Sequence, residues 1–270
     1  MSKLWISTAG NQPIVAAALH DGHHVRPEVE QLLAISPDQR KREEDPFTAG
    51  WTDIAESRLV VLRSRFEVDL NRPRHQAIYL KPDDAWGLKV WKSQPPQDLI
   101  ERSLKEYDAF YDEVDRICRT LKQRYGHFVI YDLHTYNHHR QGINALFEAE
   151  RYNPEINLGT ETLNRQYWQP VVERFIDEMR QFDFLGRQLD VRENVKFPGG
   201  YFAEWIHTHY PYSGCVLAIE VKKFFMNEWT HQADLTRLSA VHQAIKNSVS
   251  GVLEELSNFR RSHSQREVKG

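Results

Sequence analysis

Four polar positions stand at or within short apolar runs, and their residue types are those of metal-assisted hydrolysis. Phe128 to His134, FVIYDLH, reads as a buried strand that delivers His134 at its carboxyl end. Pro13 to His20, PIVAAALH, does the same for His20. Glu43, Glu44 and Asp45 lie together in a loop, REEDPFT, ahead of a proline that discourages further helix. Glu220 is the single charge inside the run VLAIEV, Val216 to Val221. Two imidazoles and one carboxylate make a three-ligand set with an open fourth position, the usual form of a catalytic zinc site. A further carboxylate beside it serves as general base and then acid, and burial among Leu217, Ile219 and Val221 raises a glutamate toward that role. The plainer readings are a histidine that caps a strand and an inward-facing Glu220 paired with an arginine. The same ligand set also fits a non-haem iron oxygenase, and a retained clamp without chemistry fits a binding module.

Asp132 stands two residues before His134, on the same strand face, where it can orient an imidazole. Arg65, Asn71 and Arg72 form an anion-recognition candidate, because a guanidinium fork matches a carboxylate and an amide adds a donor. They suit a small acidic substrate; a surface ion pair is the plain alternative. Gly199 and Gly200, in PGGY, permit close backbone approach to a ligand, as does the Asn157–Thr160 stretch. The adjacent pairs His23–His24 and His138–His139 lie in polar loops and are expected to be exposed.

These groups need a scaffold, and the chain supplies alternating strands and helices. Arg58 to Leu70 alternates and suggests extended structure. Asp98 to Tyr125 carries an apolar stripe at Leu104, Tyr107, Tyr111, Val114, Cys118 and Leu121, with Gly126 as its stop. Asn164 to Phe184 and Leu235 to Leu256 show helical spacing, and a polar tail from about 260 is expected to fray. Arg72 to Gln97 and Arg140 to Gly159 are irregular and suit loops around a site. The pattern predicts one α/β domain over residues 1–270, with a mostly parallel or mixed sheet flanked by helices.

Composition narrows the class. The 270 residues are 40% hydrophobic with a net charge of -3, and no basic block argues for nucleic acid. Lys222–Lys223 and Arg260–Arg261 read as solvated faces. No apolar run spans a bilayer and the N-terminus lacks a signal-peptide core, so a cytoplasmic location is expected. The two cysteines, Cys118 and Cys215, are expected to be reduced, Cys118 in a packing role. Oligomeric state leaves no trace in the sequence.

Taken together, the motifs resemble those of the N-formylglutamate amidohydrolases. SRFEVDLNRP is similar to their SRxxxDLNRP element, YDLHT to their D-x-H-S segment and LHDG to their P-H-x-G segment. EED, NLGT, GGY and a late apolar strand bearing Glu follow the same order, so the likeness runs from about His20 to Asn227. A more distant likeness is to zinc carboxypeptidases. The resemblance implies a phosphorylase/hydrolase-like α/β fold and one Zn2+ per chain. It implies His20, His134 and Asp45 as metal ligands, with Glu44 or His23 as alternatives to Asp45. It further implies Glu220 as the catalytic base, Arg65 beside the developing oxyanion, and Asn71 and Arg72 on the substrate carboxylate of an N-acyl amino acid. The chain departs from the pattern in lacking a proline before His20 and in placing Thr135 where the family has Ser. Residues 74–91 and 138–153 match it poorly.

Overall fold

The computed structural model describes residues 4–267. Its strands are β1 (Trp5–Thr8), β2 (Ile14–Ala18), β3 (Ser57–Val61), β4 (Phe128–Tyr136), β5 (Ile156–Gly159), β6 (Val191–Glu193) and β7 (Gly214–Lys222). They form one seven-stranded sheet in the order β1-β3-β2-β4-β7-β5-β6. The sheet is mixed. β3, β2, β4 and β7 run parallel, β1 closes one edge antiparallel to β3, and β5 pairs antiparallel with β7. The helices are α1 (Pro27–Glu30), α2 (Pro37–Glu43), α3 (Thr48–Trp51), α4 (Gln97–Tyr125), α5 (Gln169–Gln181), α6 (Tyr201–His209) and α7 (Leu235–Glu267).

The central strands read as continuous apolar runs because both sheet faces are covered. Ile14, Ala16, Val129, Tyr131 and Leu133 share one core with Phe175 of α5 and Ile245 of α7. The alternate residues Val15, Ala17, Phe128 and Ile130 share the other with Phe110 of α4 and Phe202 of α6. The period of two along each strand thus sorts its side chains between two helical layers. On α4 the buried positions include Tyr107, Tyr111, Val114, Cys118 and Leu121. The helix ends at Gly126, whose φ of 77° is costly for a residue with a Cβ and whose N–H still donates to the Lys122 carbonyl at 2.8 Å.

Several elements differ from what the pattern predicts. Only the first part of the Arg58–Leu70 stretch is a strand. Beyond β3 the chain turns, with Glu67 N–H donating to the Ser64 carbonyl at 3.0 Å. Ser64, Glu67 and Asp69 in this turn are all buried. Helix α5 begins at Gln169 rather than Asn164, because Pro170 fits only its first turn and Asn164 accepts backbone bonds ahead of it. Strand β5 lies inside the stretch read as irregular. Helix α7 runs to Glu267, and the side chains of Arg260 and Arg261 lie outside the described residues. Cys118 and Cys215 are both buried, and burial pushes both thiols up, which keeps them unreactive. No described helix is long and apolar enough to cross a membrane.

Phe175 is fully buried and meets the Tyr131 ring edge-on at 5.8 Å, so it couples α5 to β4. Phe175→Ala is expected to cost about 3–5 kcal/mol in urea-unfolding stability. A loss below about 1 kcal/mol would mean that this layer does not hold the sheet.

Candidate metal centre and substrate cavity

The carboxyl ends of the parallel strands meet at one point, and the polar groups gather there. His20 follows β2 by two residues, and its carbonyl accepts the Asp45 backbone N–H at 2.9 Å, which ties the loop after α2 to the end of β2. His134 lies in β4 directly opposite Glu220 of β7 in the parallel register. Asp45 Oδ2 stands 3.3 Å from His20 Nδ1 and 3.0 Å from His134 Nδ1. Thr135 Oγ1 donates to the other Asp45 oxygen at 3.1 Å. All three residues are buried.

Each imidazole is backed by a carboxylate on its far nitrogen. His20 Nε2 lies 2.8 Å from Asp69 Oδ1 and His134 Nε2 lies 2.9 Å from Asp132 Oδ1. That pairing holds the proton on Nε2 and turns a lone pair on each Nδ1 toward Asp45. Two lone pairs and a carboxylate facing one another in a dry pocket repel unless a cation or a proton lies between them. His20 Nδ1 has no hydrogen-bond partner. In the ion-free protein a proton answers this need at His134. Burial lowers its pKa, but the Asp132 charge and the bonds to Asp132 and Asp45 outweigh that and hold it well above the usual value. His134 and His20 beside it likewise overcome burial and keep Asp45 far below the ordinary carboxylate range. The three ligand atoms lie within 4.8 Å of one another. Zinc bonds of 2.0–2.2 Å in a tetrahedron give ligand–ligand edges of about 3.3–3.6 Å, close to two of these spacings, so the donors fit a small divalent cation.

The three consecutive acids part company. Asp45 faces the histidines. Glu44 turns away to His23 Nδ1 and Ser64 Oγ, both at 2.5 Å, so neither Glu44 nor His23 joins the cluster. Glu43 points into the cavity wall, where Arg42, Arg140 and Asn137 donate to it.

Asp69 is the hub of the neighbouring network. Besides His20 it accepts from Asn71 N–H at 2.8 Å, from Arg65 Nη2 at 2.9 Å and from the Tyr79 hydroxyl. Burial opposes its charge, yet Arg65 and His20 hold it well below its usual pKa. Arg65 spends further donors on Tyr79 Oη and the Glu43 carbonyl, which fixes its plane. Arg72 is freer: its Nε is 3.6 Å from Asp69 and its guanidinium lies 4.6 Å over the Tyr79 ring. Asn71 accepts Phe202 N–H at 2.9 Å and packs on Gly200, where a Cβ would come within 2.2 Å of its amide. The loop bearing Gly199 and Gly200 is pinned by Asn157 of β5, whose side chain binds the Phe197 carbonyl and the amides of Val195 and Lys196.

A cavity of about 230 Å³ opens over this cluster and brings together His20, Asp45, His134, Glu220, Arg65, Asn71, Arg72, Gly199 and Gly200. Glu220 is raised to about 7, chiefly by burial, with the Asp45 and Asp132 charges adding to it and His134 opposing. A larger cavity of about 550 Å³ lies behind His138 and His139, but it lacks converging ligand groups. Residues to which the pattern gave no part in the site also line the smaller cavity, among them Lys223, Arg140, Trp86 and Asn137. Lys222 and Lys223 are buried rather than solvated. The Lys222 ammonium donates to the Asn153 carbonyl at 3.0 Å, and that of Lys223 to the Arg42 and Glu44 carbonyls at 2.7 and 2.9 Å. Lys223 therefore fastens the end of β7 to the loop that presents Asp45. Nor is the second histidine pair free. His139 is buried with Nε2 at 2.7 Å from the Ala145 carbonyl, and the amides of both His138 and His139 donate to Glu228.

Comparison with known proteins bears on the family and the fold. The family model of N-formylglutamate amidohydrolase matches residues 12–226. Among curated proteins none matches the chain. The crystal structure of an N-formylglutamate amidohydrolase from Ralstonia eutropha JMP134 is similar in fold, with a TM-score of 0.69 at 15% identity over 96% of this chain and 99% of that one. A gene product of Agrobacterium tumefaciens is similar with a TM-score of 0.63 at 17% identity over 93% of this chain and 96% of that one. At these identities the two structures speak for the fold alone, whereas the family model covers most of the sequence. The chain belongs to the N-formylglutamate amidohydrolase family and is a hydrolase that acts on an amide bond.

Proposed function

We propose that the protein is a zinc-dependent amidohydrolase that cleaves the amide bond of an N-acyl amino acid resembling N-formylglutamate, with one zinc per chain. The observation that carries this reading is the convergence of His20 Nδ1, Asp45 Oδ2 and His134 Nδ1, each imidazole backed by its own carboxylate, beside a glutamate raised to about 7. Zinc bound there would supply polarisation of the amide carbonyl and a water of near-neutral pKa. Glu220 takes a proton from the attacking water and returns it to the leaving nitrogen. Arg72 and Asn71 hold the substrate carboxylate, since the Arg72 fork is only loosely engaged by Asp69. Arg65 keeps one N–H on each Nη for the oxygen that gains charge, while Asp69 and Tyr79 fix its plane. Gly199 and Gly200 leave room for the substrate against the Asn71 wall.

Glu220→Gln is expected to lower turnover roughly 10²–10⁴-fold while zinc content stays unchanged. As a base, Glu220 works only when deprotonated, so kcat/KM rises with pH through its pKa. The group stands at about 7 without an ion, and a nearby cation lowers it, so the rise falls at or below that pH. A rise that persisted unchanged in Glu220→Gln would remove Glu220 from the mechanism.

Asp69→Asn tests the coupling between ligand and clamp. Losing the charge behind His20 is expected to weaken zinc binding about 10–100-fold in a chelator competition. It should also raise KM, because Arg65 and Asn71 lose the same acceptor. An unchanged zinc affinity would show that Asp69 does not orient His20.

A further inference from the structure

The arginine–carboxylate cluster at Asp69 has a counterpart in the lining of the same cavity. There Arg65 and Arg72 share one carboxylate, Asp69. In the counterpart Arg42 and Arg140 share Glu43, at 2.8 and 3.1 Å. Arg42 is otherwise occupied, with Nη2 3.5 Å from Glu228 and its guanidinium 4.0 Å over the Trp229 ring. Glu43 also accepts from Asn137 at 3.1 Å, so its oxygens are well supplied without Arg140. Arg140 makes the longest of the Glu43 bonds, 3.3 Å from Nη1. Of its five N–H donors, Glu43 takes two. Its side chain is 28% exposed, lines the cavity and lies 5.7 Å from the Trp86 ring, which Arg65 approaches to 4.8 Å.

The base of Arg140 is fixed although its segment carries no helix or strand. The amides of His138 and His139 donate to Glu228 at 2.5 and 2.8 Å, and Trp229 Nε1 donates to the His139 carbonyl at 2.9 Å. A guanidinium on an anchored base, with donors to spare and half a counter-charge, is a preorganised site for a second anion. Resting on the amidohydrolase reading above, we infer that Arg140 is the specificity-determining residue for the substrate's amino-acid side chain. It binds a side-chain carboxylate while Arg72 and Asn71 hold the first one. This assigns a residue to the second carboxylate of the N-formylglutamate-like substrate proposed above.

The test compares the zinc-loaded protein with its Arg140→Met variant, using N-formyl-L-glutamate and its neutral isostere N-formyl-L-glutamine as substrates. Calorimetric Kd values for L-glutamate and L-glutamine give a readout that needs no turnover. The wild type is expected to favour the acidic member of each pair by about 10–100-fold, the scale of a charge-assisted hydrogen bond. Arg140→Met should lose that preference and leave the glutamine compounds within about twofold. Equal loss on acidic and neutral compounds would overturn the inference and leave Arg140 a brace for Glu43. So would a wild type without preference in either pair. Turnover of neither substrate by the wild type would instead count against the amidohydrolase reading, while the Kd comparison still decides the role of Arg140.

Discussion

Buried negative charge is the constraint around which this molecule is built. Asp45, Asp69 and Asp132 are all withdrawn from water, and they share two imidazoles, the guanidinium of Arg65 at 2.9 Å from Asp69 and that of Arg72 at 3.6 Å. Burying an unpaired carboxylate is costly, so each is placed where a cation or donor reaches it. Asp69 and Asp132 turn the histidines so that their lone pairs converge on Asp45. The result is a pocket whose own groups repel unless positive charge enters it. A divalent ion satisfies all three at once and exchanges with the proton that otherwise sits on His134.

The fold meets that constraint through the sheet. Parallel strands β4 and β7 end in register at Tyr136 and Lys222, which sets His134 opposite Glu220, and the neighbouring β2 ends two residues before His20. The fourth contributor, the loop after α2, lies in no strand and is held by the Asp45 N–H on the His20 carbonyl and by side chains. Lys223 binds its carbonyls at Arg42 and Glu44, Asn137 binds the Arg42 carbonyl, and Thr135 binds Asp45 itself. Each of these side chains sits at the end of β4 or β7. The strands that carry the histidine and the glutamate therefore also hold the loop that carries the aspartate.

Much of this arrangement is legible in the sequence, because strand ends are a local signal. FVIYDLH and PIVAAALH announce both histidines, and the stripe of α4 with its terminal Gly126 is equally plain. What misleads is polar residues that are buried. The alternation between Arg58 and Leu70 suggests a strand throughout, and Lys222–Lys223 look like a solvated pair. Both are buried because their partners lie far along the chain, as Lys223 does with Arg42 and Glu44. Composition cannot announce such distant pairing. The same reason hides Arg140 and Trp86, which gain meaning only from the wall they share. Three acids in a row leave the choice among them open, and it is the spatial pairing of Glu44 with His23 that leaves Asp45 facing the histidines.

The central claim is that the converging histidines and aspartate hold a zinc ion on which amide cleavage depends. The most direct test is the zinc content of the purified protein together with amine release from N-formyl-L-glutamate, before chelation, after it and after zinc is restored. About one zinc per chain, with release abolished by the chelator and recovered on adding zinc, is the predicted result. Amine release that continued undiminished in the metal-free protein would contradict the account, as would a protein that binds no zinc at all.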